Sequence, residues 1–93
     1  MKIVLTPHFI RAAKKLIKKT PSLQKKIEKT IELMENDVFN PSLITHKLSG
    51  DLDDLWACSC GYDYRIVFSF EKDPGSKSNM LLLVDIGTHD EIY

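Results

Sequence analysis

Tyr62, Tyr64, Ile66, Phe68 and Phe70 fall on every second residue of one unbroken stretch, with Asp63, Arg65, Val67, Ser69 and Glu71 between them. Successive side chains of a β-strand point to opposite faces, so this stretch reads as a strand with one core face and one free face. A chain of 93 residues buries only about 60–65% of its unfolded surface and cannot divide its core in two. Whatever covers the aromatic face must come from the same single domain, residues 1–93.

The cover is legible upstream. Thr6-Pro7 suits a helix cap followed by a first-turn proline, and Phe9, Ala12, Ala13, Leu16 and Ile17 repeat as one buried helical stripe, predicting a helix over 7–19. The same punctuation returns at Thr20-Pro21, and Leu23, Ile27, Ile31, Met34 and Val38 mark the inner face of a second helix that ends before Asn40-Pro41. Two helices joined so tightly form a hairpin.

Residues 2–5 read as a short first strand, and 42–50 as a connector with some extended character and a turn at Gly50-Asp51. Strands follow over 55–60, 62–70 and about 80–86, with Gly61 in a hairpin turn and a polar loop at 73–79. The expected fold is α+β, in the order βααβββ: a small, mostly antiparallel sheet with the N-terminal helical hairpin on one face. The other face is left for function.

Charge is divided along the chain. Residues 1–30 hold nine basic side chains against Glu28 alone, whereas 31–93 hold four basic against twelve acidic ones. The basic segment can attract nucleic acid or an acidic partner. No run approaches the roughly 20 apolar residues of a membrane span, and Met1-Lys2-Ile3-Val4-Leu5 lacks the form of a signal peptide, so a cytoplasmic protein is expected. Cys58 and Cys60, two apart on a strand, are read as reduced packing residues. With His46 and His89 they offer zinc-type donors, but that spacing argues against a metal site, and no cofactor is expected.

On the free face Asp63 and Arg65 would stand about 7 Å apart by strand rise. His46 precedes the second group of strands, and the chain closes on Gly87-Thr88-His89-Asp90-Glu91-Ile92-Tyr93. If the strands are neighbours, His46, Asp63, Arg65, His89 and Tyr93 converge. Such a set suits RNA cleavage, in which one group takes the proton of a 2′-hydroxyl, another protonates the departing 5′-oxygen, and a cation steadies the phosphorane between them. His8 is read as a surface residue and Trp56 as a core or rim anchor.

The element order, the segment His46-Lys47-Leu48-Ser49-Gly50, the strand Tyr64-Arg65-Ile66-Val67-Phe68 and the ending 87–93 together resemble the RelE/ParE superfamily of bacterial toxins, nearest its YafQ-like branch. The resemblance covers essentially the whole chain. It implies a RelE-like fold and a metal-independent ribonuclease that cuts mRNA in the ribosomal A site, lies against ribosomal RNA, and is silenced by a cognate antitoxin. DNA would be met only indirectly, through that antitoxin. The resemblance also implies His89 as general acid, His46 or Asp63 as base, Arg65 on the phosphate, and Tyr93 stacking on or orienting the substrate. One position departs from the branch: Ser59 stands where YafQ-like members often carry a histidine. A ParE-like toxin that inhibits gyrase without cleaving RNA, and a degenerate member kept for antitoxin binding and repression, are the alternatives on the same fold.

Overall fold

A computed structural model describes residues 1–48 and 54–93; the turn expected at Gly50-Asp51 lies outside them. Strand β1 (Lys2–Leu5) leads into helix α1 (Pro7–Lys19) and helix α2 (Leu23–Asn36). A 3-10 turn at Pro41–Leu43 precedes β2 (His46–Lys47), β3 (Trp56–Cys60), β4 (Tyr64–Lys72), β5 (Asn79–Thr88) and the short helix α3 (His89–Ile92). The sheet order is β1-β5-β4-β3-β2. β1 runs parallel to β5 and the other pairs are antiparallel.

The α+β fold and the helical hairpin over one face agree with the sequence reading. A fourth strand after the helices was not anticipated: β2 is two residues long, too short to carry a periodicity, and it exists because its backbone completes the edge of β3. Helix α2 stops at Asn36, short of Val38. Asp37 is extended there (φ −163°), and its carboxylate accepts the Phe39 N–H, which ends the helix while leaving Val38 buried.

Thr6 joins helix to sheet. Its hydroxyl accepts the Phe9 N–H at 3.1 Å as a helix cap and donates to the Leu83 carbonyl at 2.8 Å. α1 is thereby set against β5. Phe9, Ala13, Leu23, Ile27 and Met34 from the helices meet Cys58, Cys60, Ile66, Phe68, Leu81, Leu83 and Ile86 from the sheet in one core. Both thiols face the helices. Burial pushes the Cys58 thiol up to about 12 and raises that of Cys60 as well, so they are inert packing groups on the opposite side of the sheet from His46.

The free face is not wholly free. Leu48, Ala57 and Val67 are buried there in a second, smaller cluster with Leu55, Val84 and Ile92 packed against it. It depends on an irregularity in β5: Val67 lies opposite Asp85 while Phe68 lies opposite Leu83, so Val84 is an inserted residue. The bulge turns an apolar side chain toward the side the helices leave uncovered.

Tyr62 corrects the sequence reading. It is 92% exposed, and β4 begins only at Tyr64, paired with Cys60, because residues 61–63 form a three-residue hairpin loop entered through Gly61 at φ +70°. Asp63 is therefore a loop residue, not a neighbour of Arg65 on one strand.

Phe68 is fully buried at the centre of the main core. Phe68→Ala should lower unfolding free energy by about 3–5 kcal/mol, measured by urea denaturation.

Candidate active site

Three paired residues form the floor of the site: Ser59 of β3, Arg65 of β4 and Gly87 of β5 lie in one row across the sheet. Arg65 is the only long side chain of the three. Gly87 is needed for close approach, since a Cβ there would stand 3.2 Å from Glu91 Oε1 and 3.3 Å from Glu91 Cβ. Without a side chain at 87, α3 folds back over the end of β5.

Arg65 Nη1 donates to the Tyr62 and Tyr64 carbonyls at 3.0 and 2.8 Å. These bonds tie the guanidinium to the hairpin that carries it. Only Nη1 makes them, and the guanidinium has five N–H donors in all.

Thr88 starts α3 with a reciprocal cap: its hydroxyl accepts the Glu91 N–H, and Glu91 Oε1 accepts the Thr88 N–H at 2.8 Å. The His89 N–H reaches the Asp63 carbonyl at 3.1 Å, and Ile92 packs on the second apolar cluster. A helix of four residues has little stability of its own, so these anchors hold His89 and Tyr93 in place.

The five residues singled out from the sequence divide between two adjoining cavities. One, of about 280 Å³, is lined by Ile44, His46, Ser59, Arg65, His89 and Tyr93. The other, of about 640 Å³, is lined by Tyr62, Asp63, Tyr64, Arg65, Thr88, His89 and Asp90. Arg65 and His89 line both. Asp63 is thus brought to Arg65 and His89 but is not among the residues around His46 and Tyr93.

Within the smaller cavity the aromatic groups touch. The Tyr93 hydroxyl is hydrogen-bonded to His46 Nε2, the two rings stack at 5.5 Å and 21°, and the His89 ring lies 4.6 Å from that of Tyr93. His46 Nδ1 is 2.8 Å from the Ile44 carbonyl. Burial raises the Tyr93 phenol above its usual value, with the nearby Arg65 charge pulling the other way. Sequence reasoning missed Ile44, whose left-handed backbone (φ 49°, ψ 46°) has no signature in a β-branched residue.

Nucleotide-sized cavities joined at an arginine and flanked by two histidines can receive a phosphodiester and its ribose. Among the described residues no cluster of three or more His, Cys, Asp or Glu side chains is placed to hold a metal ion, and no helix is long and apolar enough to cross a membrane.

Thr88→Ala should cost about 1 kcal/mol in the cap and speed amide hydrogen exchange at 89–92. Acid should do the same. The Thr88 N–H and hydroxyl, aided by Lys19 and Lys15, hold the Glu91 carboxyl below its usual value. Its contribution is therefore complete at neutral pH and is lost as pH falls through that lowered value. Exchange at 89–92 measured from neutral pH downward, after correction for intrinsic rates, should show protection falling in acid.

A family model described as the bacterial toxin of type II toxin-antitoxin systems, YafQ, matches residues 1–93. A comparison with curated protein sequences finds no match. Among solved structures the chain is similar to YafQ from E. coli strain BL21(DE3), at 15% identity and a TM-score of 0.75, covering 99% of this chain and 97% of that one. It is also similar to a YoeB/ParE toxin from Agrobacterium tumefaciens, at 18% identity and a TM-score of 0.74, covering 96% and 99%. The E. coli DinJ-YafQ complex matches at 16% identity and a TM-score of 0.73, covering 99% and 97%. These structures share the fold, and the full-length family match gives the membership: the chain belongs to the YafQ family of toxins from type II toxin-antitoxin systems.

Proposed function

We propose that this toxin is a ribosome-dependent mRNA endonuclease that needs no metal and arrests translation. The observation that carries the reading is the meeting of His46, Arg65, His89 and Tyr93 around one small cavity. Two imidazoles and a guanidinium supply every proton and charge that a transesterification of RNA requires. His46 accepts the proton of the ribose 2′-hydroxyl, and the freed oxygen attacks phosphorus. Arg65 stabilises the charge on the phosphorane, and His89, protonated, gives its proton to the departing 5′-oxygen. The products are a 2′,3′-cyclic phosphate and a 5′-hydroxyl.

Between the two candidate bases, the geometry favours His46. Its Nε2 already holds a hydrogen bond within the cavity, while Asp63 lines the neighbouring one and supports His89 through its main-chain carbonyl. The Asp63 carboxylate is then an orienting group for the adjoining nucleotide. Tyr93 presents a half-exposed ring on which a base can stack.

The lysine-rich helices supply the attraction for ribosomal RNA that the acidic remainder of the chain cannot, and the place of action is the cytoplasm. A YafQ relative has been crystallised with DinJ, and we infer that this chain likewise binds a cognate antitoxin, meeting DNA only through it.

Mapping mRNA 5′ ends after induction tests the reading. Wild type should generate new ends within coding sequence, and His89→Ala and Arg65→Ala should each reduce cleavage by about 100-fold or more with the circular dichroism spectrum unchanged. Growth arrest with intact mRNA and an early DNA-damage response would instead identify a gyrase-inhibiting toxin. Harmless expression without antitoxin would identify a degenerate member.

A further inference from the structure

His46 does not face its cavity alone. A carbonyl oxygen can only accept, so the 2.8 Å contact between His46 Nδ1 and the Ile44 carbonyl places the ring hydrogen on Nδ1. In the neutral ring Nε2 then carries a lone pair, and the Tyr93 hydroxyl bonded to it must be the donor. The chain of bonds has one direction, from Tyr93 O–H to Nε2 and from Nδ1–H to the Ile44 carbonyl.

Ile44 is placed for this by an unfavourable backbone. A β-branched residue at φ 49° is held only by its surroundings: its N–H donates to the Pro41 carbonyl at 3.2 Å, and the next residue, Thr45, donates its hydroxyl to the Val38 carbonyl. The result is a carbonyl aimed at an imidazole two residues on. On the far side of the ring, Tyr93 lines the cavity together with His46, Arg65 and His89, and its hydroxyl engages the Nε2 lone pair that would otherwise meet a bound group.

We propose that Tyr93 and His46 act as one proton-carrying unit, in which the Tyr93 hydroxyl meets the ribose 2′-hydroxyl and the Ile44 carbonyl serves as the positioning group. This rests on the nuclease reading above. As the 2′-oxygen bonds to phosphorus, its proton passes to Tyr93 Oη while the phenol's own proton passes to His46 Nε2. Tyr93 ends neutral and His46 ends as an imidazolium whose Nδ1–H remains on the Ile44 carbonyl. The P–O5′ bond breaks, and the leaving oxygen takes a proton from His89. A phenol raised by burial stays protonated at neutral pH, as a donor to Nε2 must. The logic is that of an orienting acceptor, a base and a hydroxyl in line.

The first measurement needs no variant. Ring nitrogen shifts of His46 in the wild-type protein, read at a pH where the ring is neutral, should show the Nδ1–H tautomer; a predominant Nε2–H tautomer overturns the proposal. Tyr93→Phe keeps the ring and removes the hydroxyl. It should lower ribosome-dependent cleavage by about 100-fold while the His46 tautomer is retained. Cleavage that is unchanged or faster in Tyr93→Phe would make the hydroxyl a mere cover over His46, overturning the relay and leaving the nuclease reading intact. Ile44→Gly, which accepts a positive φ, should keep the Nδ1–H tautomer. Ile44→Pro, with φ fixed near −65°, should lose that tautomer and the cleavage with it; if it does not fold, the wild-type tautomer and Tyr93→Phe still decide. A wild-type protein that cleaves no mRNA on ribosomes overturns the nuclease reading itself, and the relay with it.

Discussion

β5 is hydrogen-bonded along both edges, parallel to β1 on one side and antiparallel to β4 on the other, and the site hangs from its C-terminal end. An inner strand cannot slip by one residue without moving its own side chains to the wrong face. That rigidity reaches the candidate site through three residues in succession. Gly87 clears space, Thr88 caps, and His89 enters the cavity with Tyr93 one helical turn on. α1 is clamped to the same strand by Thr6 on Leu83, next to the bulge that supplies Val84 to the second apolar cluster. The helical layer and the proposed site therefore share one reference strand.

What was legible in the sequence followed from period and punctuation. The stripe from Phe9 to Ile17, opened by Thr6-Pro7, gave α1 its limits, and the alternation through Ile66, Phe68 and Phe70 gave the core face of β4. Tyr62 kept the same period and yet lies outside the strand, because the loop entered at Gly61 runs on through Asp63, two residues further than alternation implies. Val67 and Ser69 looked like solvent-facing positions and are buried; the cover of Val67 comes from a bulge and from Leu48, both products of long-range pairing. The site was legible as residue types but not as a partition. That Arg65 and His89 are common to two cavities, with Asp63 in one and His46 and Tyr93 in the other, depends on a three-residue loop whose length alternation does not report.

The charge division of the sequence also has a local role. Glu91, whose carboxylate completes the cap of α3, lies within the field of Lys15 and Lys19 on α1. The basic helix thus steadies the acidic arm. On the helix side of the sheet, Thr30 Oγ1, whose hydrogen goes to the Lys26 carbonyl, lies 3.4 Å from Cys60 Sγ, and Cys58 Sγ sits 3.8 Å from the Met34 sulfur. Soft, polarisable contacts of this kind fill a core that two short helices must close.

Alkylating reagents attack thiolate, and a thiol held near 12 beneath two helices offers almost none at neutral pH. Modification of Cys58 then waits for the helical hairpin to leave the sheet. Both cysteines are in this way silent labels of the intact molecule, and their rate of capture is a clock for its opening.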